Sequence, residues 1–242
     1  MEGQRTYAII GGTGMEDLFP QAPMETVSTA YGEAVLYLPQ GKNYYFLPRH
    51  GKEHHLPPHR INYRANIAAL KKMGVVAAFG LCAVGSLREE LRPGTFALIS
   101  DFLDFTKSRP TTFFDGEGGQ VRHLDVSEVY SEAMNASFER HWGHPLPRAV
   151  YVATEGPRFE TASENRFYAS IGGDLVGMTN VPEAPLALEA GIRYSCLAHI
   201  INYGTGIHQK VTIEKSQDLP RIVPTLDGVF AQKMEPMEAP FL

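Results

Sequence analysis

The stretch Val75-Val76-Ala77-Ala78-Phe79-Gly80-Leu81-Cys82-Ala83-Val84 decides the fold. It is almost unbroken apolar sequence with no polar alternation. A strand wetted on one face alternates; a strand covered on both faces does not. A second run of this kind spans residues 194–201. Two such strands predict a sheet sandwiched between layers of helix.

Working outward, Gly74 closes a helical pattern over residues 62–73, with Ile61, Ala65, Ala68, Ala69 and Lys72 on repeating faces. Further strands are expected at 7–10, 34–38, 44–47, 96–99, 149–153 and 175–178, with Gly41-Lys42-Asn43 as a hairpin turn between the second and third of these. Helices are expected at 128–142, at 161–170 with Thr161 as cap and Glu164 completing a capping box, at 182–190 ending on Gly191, and at 212–234 with interruptions near Pro220 and Pro224. Residues 109–119, rich in Pro, Thr and Gly, read as a loop. Alternating strands and helices predict an α/β fold: one domain over 1–242, with a central mixed β-sheet flanked by helices. In such folds ligands bind beyond the carboxyl ends of the strands. The glycine-rich and polar segments fall after Ile10, Ala83, Val152, Val176 and Ile201, at those ends.

Composition narrows the function. The chain has 242 residues, 43% hydrophobic and 20% charged, with a net charge of −5. That composition is globular, and it lacks the basic footprint of a nucleic-acid binder. Neither a signal peptide nor a membrane-spanning run is expected. The two cysteines, Cys82 and Cys196, sit in apolar runs. They read as buried thiols of a reducing, cytoplasmic compartment.

Gly11-Gly12-Thr13-Gly14 offers backbone N–H groups and a hydroxyl to an anion, or is simply a tight turn. Asp17 stands where a dinucleotide fingerprint needs its third glycine, and no phosphate-loop lysine motif occurs. Residues 49–60 hold Arg49, His50, His54, His55, His59 and Arg60. Their spacing matches no zinc signature, whereas a guanidinium beside an imidazole suits a tetrahedral oxyanion; a polar surface loop is the alternative. The strand-end segment Leu81–Leu87 has small residues that admit a ligand close to the backbone. Thr154-Glu155-Gly156-Pro157-Arg158-Phe159-Glu160 provides an aromatic platform and a structural Glu155–Arg158 pair. Met178-Thr179 and Asn202-Tyr203-Gly204 end two more strands.

Together these segments, with Asn62-Tyr63-Arg64-Ala65-Asn66, resemble the trimeric class of nucleoside phosphorylases, in the branch of methylthioadenosine and methylthioinosine phosphorylases. The resemblance runs from Tyr7 to about Gly206. It implies phosphorolysis of a purine nucleoside to free purine and a ribose-1-phosphate, with inorganic phosphate as co-substrate and with no metal or other cofactor. It implies phosphate held by Thr13, Arg49, His50, Cys82, Ala83 and Thr179. Cys82 stands where relatives carry Thr or Asn; a thiol is the poorer donor, but its backbone still serves. The resemblance also implies Met178 under the ribose, Phe159 against the base, Asn202, Tyr203 and Gly204 around the base, and His54 near the 5′ group. His123 would cross from a neighbouring subunit of a homotrimer, or of a dimer of trimers. Asn202 and His54 are the expected catalytic pair.

Adenosine-type relatives carry Thr-Asp-Tyr-Asp where this chain has Ile201-Asn202-Tyr203-Gly204. The two carboxylates are gone, and the Asn202 amide can donate to O6 and N7 of a 6-oxopurine. Methylthioinosine, inosine or guanosine is therefore favoured. The alternatives are a methylthioadenosine phosphorylase releasing adenine, a non-catalytic anion- or nucleoside-binding module, and a metal hydrolase built on His50, His54, His55 and His59. Val211, Ile213, Leu219, Ile222, Val223 and Leu226 of the last helix are expected to line an apolar 5′ pocket.

Overall fold

Period-two geometry lets one apolar strand serve two cores. In β5 (Ala77–Ser86), Ala77, Phe79 and Leu81 enter one buried cluster, while Ala78, Cys82 and Val84 enter the other. The structure is a computed structural model describing residues 6–15, 18–51, 53–116, 121–208 and 210–242. Asp17, Lys52 and residues 117–119 of the expected loop lie outside the described residues.

β5 is the trunk of a nine-stranded mixed sheet. It pairs in parallel with β1 (Tyr7–Gly11) and β9 (Arg193–Tyr203), and antiparallel with β8 (Leu175–Gly177). On one side β1 continues in parallel to β4 (Tyr44–Pro48), then to β3 (Gly32–Tyr37) and β2 (Met24–Thr29). On the other side β8 leads through β7 (Arg148–Ala153) and β6 (Phe96–Asp104) back to β9. The α/β class and the mixed sheet expected from sequence are what the chain forms.

α1 (Tyr63–Lys72) and α4 (Asn180–Glu189) cover one face, burying Ile67, Leu70, Leu186 and Leu188. α2 (Glu132–Trp142) and α5 (Ile222–Phe230) cover the other with Met134, Phe138, Trp142, Leu226 and Phe230. The capping chemistry follows the sequence. The Asn62 side chain accepts from the Ala65 N–H, and Thr161 with Glu164 forms a full capping box on α3 (Ala162–Ser170).

Three expectations differ. The hairpin runs between β2 and β3, while β3 meets β4 only at Tyr37 and Phe46. β2 buries only Val27, so it carries no alternating pattern to read. The final helix is restricted to residues 222–230; Pro220 sits within a short 3-10 turn at Leu219–Arg221 before it. It packs against α2 and stacks Phe230 on Tyr7 at 4.9 Å, away from the strand ends.

Candidate active site

The carboxyl ends of β1, β4, β5, β7, β8 and β9 converge on one cavity of about 230 Å³. Thr13, His50, Ala83, Met178, Thr179, Phe159, Asn202 and Gly204 all line it. Glu160 and Pro58, not assigned a site role from sequence, join them, as does Ile213 of the expected apolar 5′ set. Sequence-distant strand ends thus bring eight expected residues together.

At one end, the glycine turn after β1 lies close to β5. A Cβ on Gly12 would fall 2.4 Å from Arg49 Nη1 and 2.8 Å from the Leu81 carbonyl oxygen, so only glycine fits. Thr13 is thereby held at the cavity edge. His50 sets Nδ1 2.8 Å from the Leu56 carbonyl oxygen, and in the neutral ring this makes Nδ1 the donor. The His54 ring stacks on His50 at 4.3 Å. His54 is exposed and is not itself a lining residue. The Thr179 N–H donates to the Tyr151 hydroxyl at 3.0 Å.

Two expected phosphate ligands stand elsewhere. Arg49 is 1% exposed. It donates from Nε and Nη2 to the Glu183 carboxylate (2.7 and 2.8 Å), from Nη1 to Leu81 O (2.7 Å) and from Nη2 to Ile10 O (3.1 Å). Four of its five N–H groups are committed to the strand ends, because a desolvated guanidinium must be neutralised and bonded where it lies. The Cys82 thiol points into the α1/α4 core, 3.6 Å from Cys196 Sγ, as its alternation along β5 dictates. Burial pushes the Cys196 thiol well above its usual range. Both thiols are buried and unbridged, as read from sequence.

At the other end, Glu160 is buried and its Oε1 accepts from Thr154 Oγ1 at 2.6 Å. Asn202, also buried, donates from Nδ2 to Tyr203 O at 2.8 Å, which fixes the orientation of the amide. Phe159 is 54% exposed and presents an apolar ring at the cavity. Tyr203 turns outward: its hydroxyl donates to Glu89 O at 3.1 Å and its ring packs on His208. Its side chain therefore leaves the cavity, for β9 residues alternate sides.

The expected Glu155–Arg158 pair is replaced by two others. Arg158 bridges Glu164 at 2.8 Å and holds that carboxyl down at about 2, while Glu155 lies 3.7 Å from Arg109 Nε. His123 is exposed and outside its own chain's cavity, with its carbonyl accepting from Leu242 N at 2.9 Å. Of the apolar set expected from the last helix, Ile213 alone lines the cavity. Among the described residues no three His, Cys, Asp or Glu side chains converge as a metal site; His54, His55 and His59 are exposed. No described helix is long and apolar enough to cross a membrane.

Residues 6–227 match the model of the phosphorylase superfamily. The chain belongs to that superfamily. Within it, the chain is 43% identical to the 6-oxopurine nucleoside phosphorylase of Pyrococcus furiosus, over 89% of each protein. It is 42% identical to a probable S-methyl-5′-thioinosine phosphorylase of Methanocaldococcus jannaschii, over 84% of this chain and 81% of that one. Among solved structures, methylthioadenosine phosphorylase from Schistosoma mansoni in complex with tubercidin superposes with a TM-score of 0.79 at 30% identity. The match covers 93% of this chain and 89% of that one. The superfamily resemblance read from the motifs thus holds over the chain.

Glu160 and Arg109 escaped the sequence reading. A carboxylate just before the Thr161 cap reads as an ordinary helix-start charge. Arg109 reads as the first residue of a loop, and nothing local shows what it meets.

Proposed function

We propose that the chain cleaves purine nucleosides by phosphorolysis, with 6-oxopurine nucleosides as its substrates. The observation that carries this is that Glu160 and Asn202 line the same cavity as Thr13, His50, Ala83 and Thr179. A 6-oxopurine presents an N1–H donor beside the acceptors O6 and N7. The Glu160 carboxylate accepts from N1–H, and the second N–H of the Asn202 amide donates to the acceptor side. A 6-aminopurine presents a bare N1 lone pair to the carboxylate, which repels it.

The chemistry follows from charge. As the glycosidic bond breaks, the ribose gains oxocarbenium character and the base gains negative charge. A phosphate dianion among Thr13, His50, Ala83 and Thr179 stabilises that cation and then bonds to C1′. Asn202 receives the charge developing on the leaving purine. Met178 packs under the ribose and Phe159 against the base. Arg49 serves the phosphate end by tying β1, β4 and β5 together. The Cys82 backbone, not its thiol, faces the phosphate. Pro58 and Ile213 make the 5′ end apolar, which favours a 5′-methylthio group alongside a 5′-hydroxyl. His54, stacked on His50, orients that ring toward the phosphate.

The working protein is a cytoplasmic homotrimer, or a dimer of trimers, in which the His123 loop completes a neighbour's site. Phosphate is the only co-substrate. The test is a panel of inosine, guanosine, adenosine, methylthioinosine and methylthioadenosine, each with and without phosphate. The 6-oxopurine nucleosides should release base only with phosphate. Release of adenine from methylthioadenosine with inert 6-oxopurine nucleosides would overturn the Glu160–Asn202 reading.

A further inference from the structure

We propose that Arg109 is a positioning residue for catalysis, holding the sugar-and-phosphate wall and the base-recognising wall of the cavity in register without touching substrate. This rests on the phosphorolysis reading above. Arg109 is buried, and its guanidinium meets five oxygens from three segments of the chain. Nη1 donates to Met178 O at 2.6 Å, Val181 O at 2.9 Å and the Tyr63 hydroxyl at 3.2 Å. Nη2 donates to Glu155 O at 2.6 Å and Thr154 O at 3.2 Å.

Each partner is one step from the cavity. The Met178–Thr179 peptide is clamped from both sides, its carbonyl by Arg109 and its N–H by the Tyr151 hydroxyl at 3.0 Å. That peptide carries the side chains proposed to meet ribose and phosphate. Thr154, whose carbonyl Arg109 holds, uses its own hydroxyl to hold Glu160 at 2.6 Å. The Tyr63 hydroxyl accepts from Arg109 and donates to the carbonyl of Pro58, at the 5′ end, at 3.0 Å. One cation therefore reaches three walls by separate hydrogen-bonded arms. Nothing in a folded core demands that arrangement: a buried guanidinium is costly to desolvate, and a single ion pair would neutralise it. Its ion-pair partner Glu155 lies at 3.7 Å, beyond hydrogen-bond reach, so backbone carbonyls rather than the carboxylate set its place.

Only the planar fork of arginine can serve these carbonyls at once; an ammonium has three donors at one point. Misplacing reacting groups by about 1 Å costs on the order of 100-fold in rate. Arg109→Ala is therefore expected to lower kcat for inosine by about 100-fold, with a smaller change in KM. The preference for inosine over adenosine should relax, because Glu160 loses its support. Guanidinium, at concentrations that leave the wild type unaffected, should restore part of the activity. Arg148→Ala serves as a stability control: it removes surface ion pairs to Glu132 and Glu139, remote from the cavity, and should keep wild-type kcat. A folded Arg109→Ala protein with kcat within about threefold of wild type and unchanged base preference would overturn the inference. So would a loss that tracks the unfolded fraction alone and resists guanidinium. Should Arg109→Ala fail to fold, Tyr151→Phe removes the other half of the peptide clamp and Tyr63→Phe removes the arm to Pro58. Each is expected to lower kcat by about tenfold, and unchanged kcat in both would overturn the inference. Wild-type protein without phosphate-dependent base release would sink the functional reading, and this inference with it.

Discussion

Replacing Glu160 by Gln keeps the volume and the bond to Thr154 while reversing what the base meets. The Gln carbonyl oxygen takes the Thr154 hydroxyl, which now reaches Glu160 Oε1 at 2.6 Å. The amide NH₂ then faces the purine, donor against the N1–H donor of hypoxanthine. The lost bond is one to a charged group inside a buried wall, worth about 1.5–3 kcal/mol. At about 1.4 kcal/mol per tenfold, kcat/KM for inosine should fall by roughly 10- to 150-fold. Adenosine presents a lone pair at N1, so its kcat/KM should hold or rise. The ratio of the two substrates is the decisive readout, since a merely destabilised enzyme lowers both together. Base release by chromatography at fixed phosphate gives both constants. A ratio within about threefold of wild type would refute the placement of Glu160 at N1.

Other consequences follow from the same geometry. Arg49→Met leaves the Glu183 carboxylate buried without its cationic partner and should cost about 3–5 kcal/mol in urea unfolding. Adding Glu183→Leu should recover most of that loss; no recovery would argue against a structural pair. Cys82→Ala, because the thiol faces Cys196, should leave the KM for phosphate within about twofold while lowering stability by about 1 kcal/mol. A large rise in phosphate KM would put the side chain back at the anion. His199 is held neutral by burial, its pKa down at about 4, with Nε2 accepting from Ser216 N at 3.1 Å. The folded value lies below the unfolded one near 6.5, so the unfolded chain takes the proton first. This stabilisation is complete above about pH 6.5 and is lost as pH falls toward 4. Melting temperature should drop more steeply over that range in wild type than in His199→Gln, and parallel curves would contradict it.

The sequence carried the parts of this site that are local. Strand-then-glycine punctuation marked the ends of β1, β5, β8 and β9, and those ends do meet in one cavity. The Thr161–Glu164 box and the Asn62 cap were legible because a helix start is a four-residue event. What was illegible depends on partners far away in the chain. Whether Arg49 grips an anion or a carboxylate is decided by Glu183, 134 positions later. Whether Cys82 faces ligand or core is decided by the strand's register against β9. Arg109 acquires its meaning only when β7, β8 and α1 are packed around it. The edge strand β2 was missed because one buried valine makes no pattern.

The central claim is that phosphate, not water, takes the ribosyl group. Phosphorus-31 NMR of the enzyme with inosine and inorganic phosphate tests it most directly. A ribose-1-phosphate signal should grow in one-to-one proportion with free hypoxanthine, and both should stop when phosphate is withheld. Hypoxanthine released at an undiminished rate in phosphate-free buffer, with free ribose and no new phosphate ester, would contradict it.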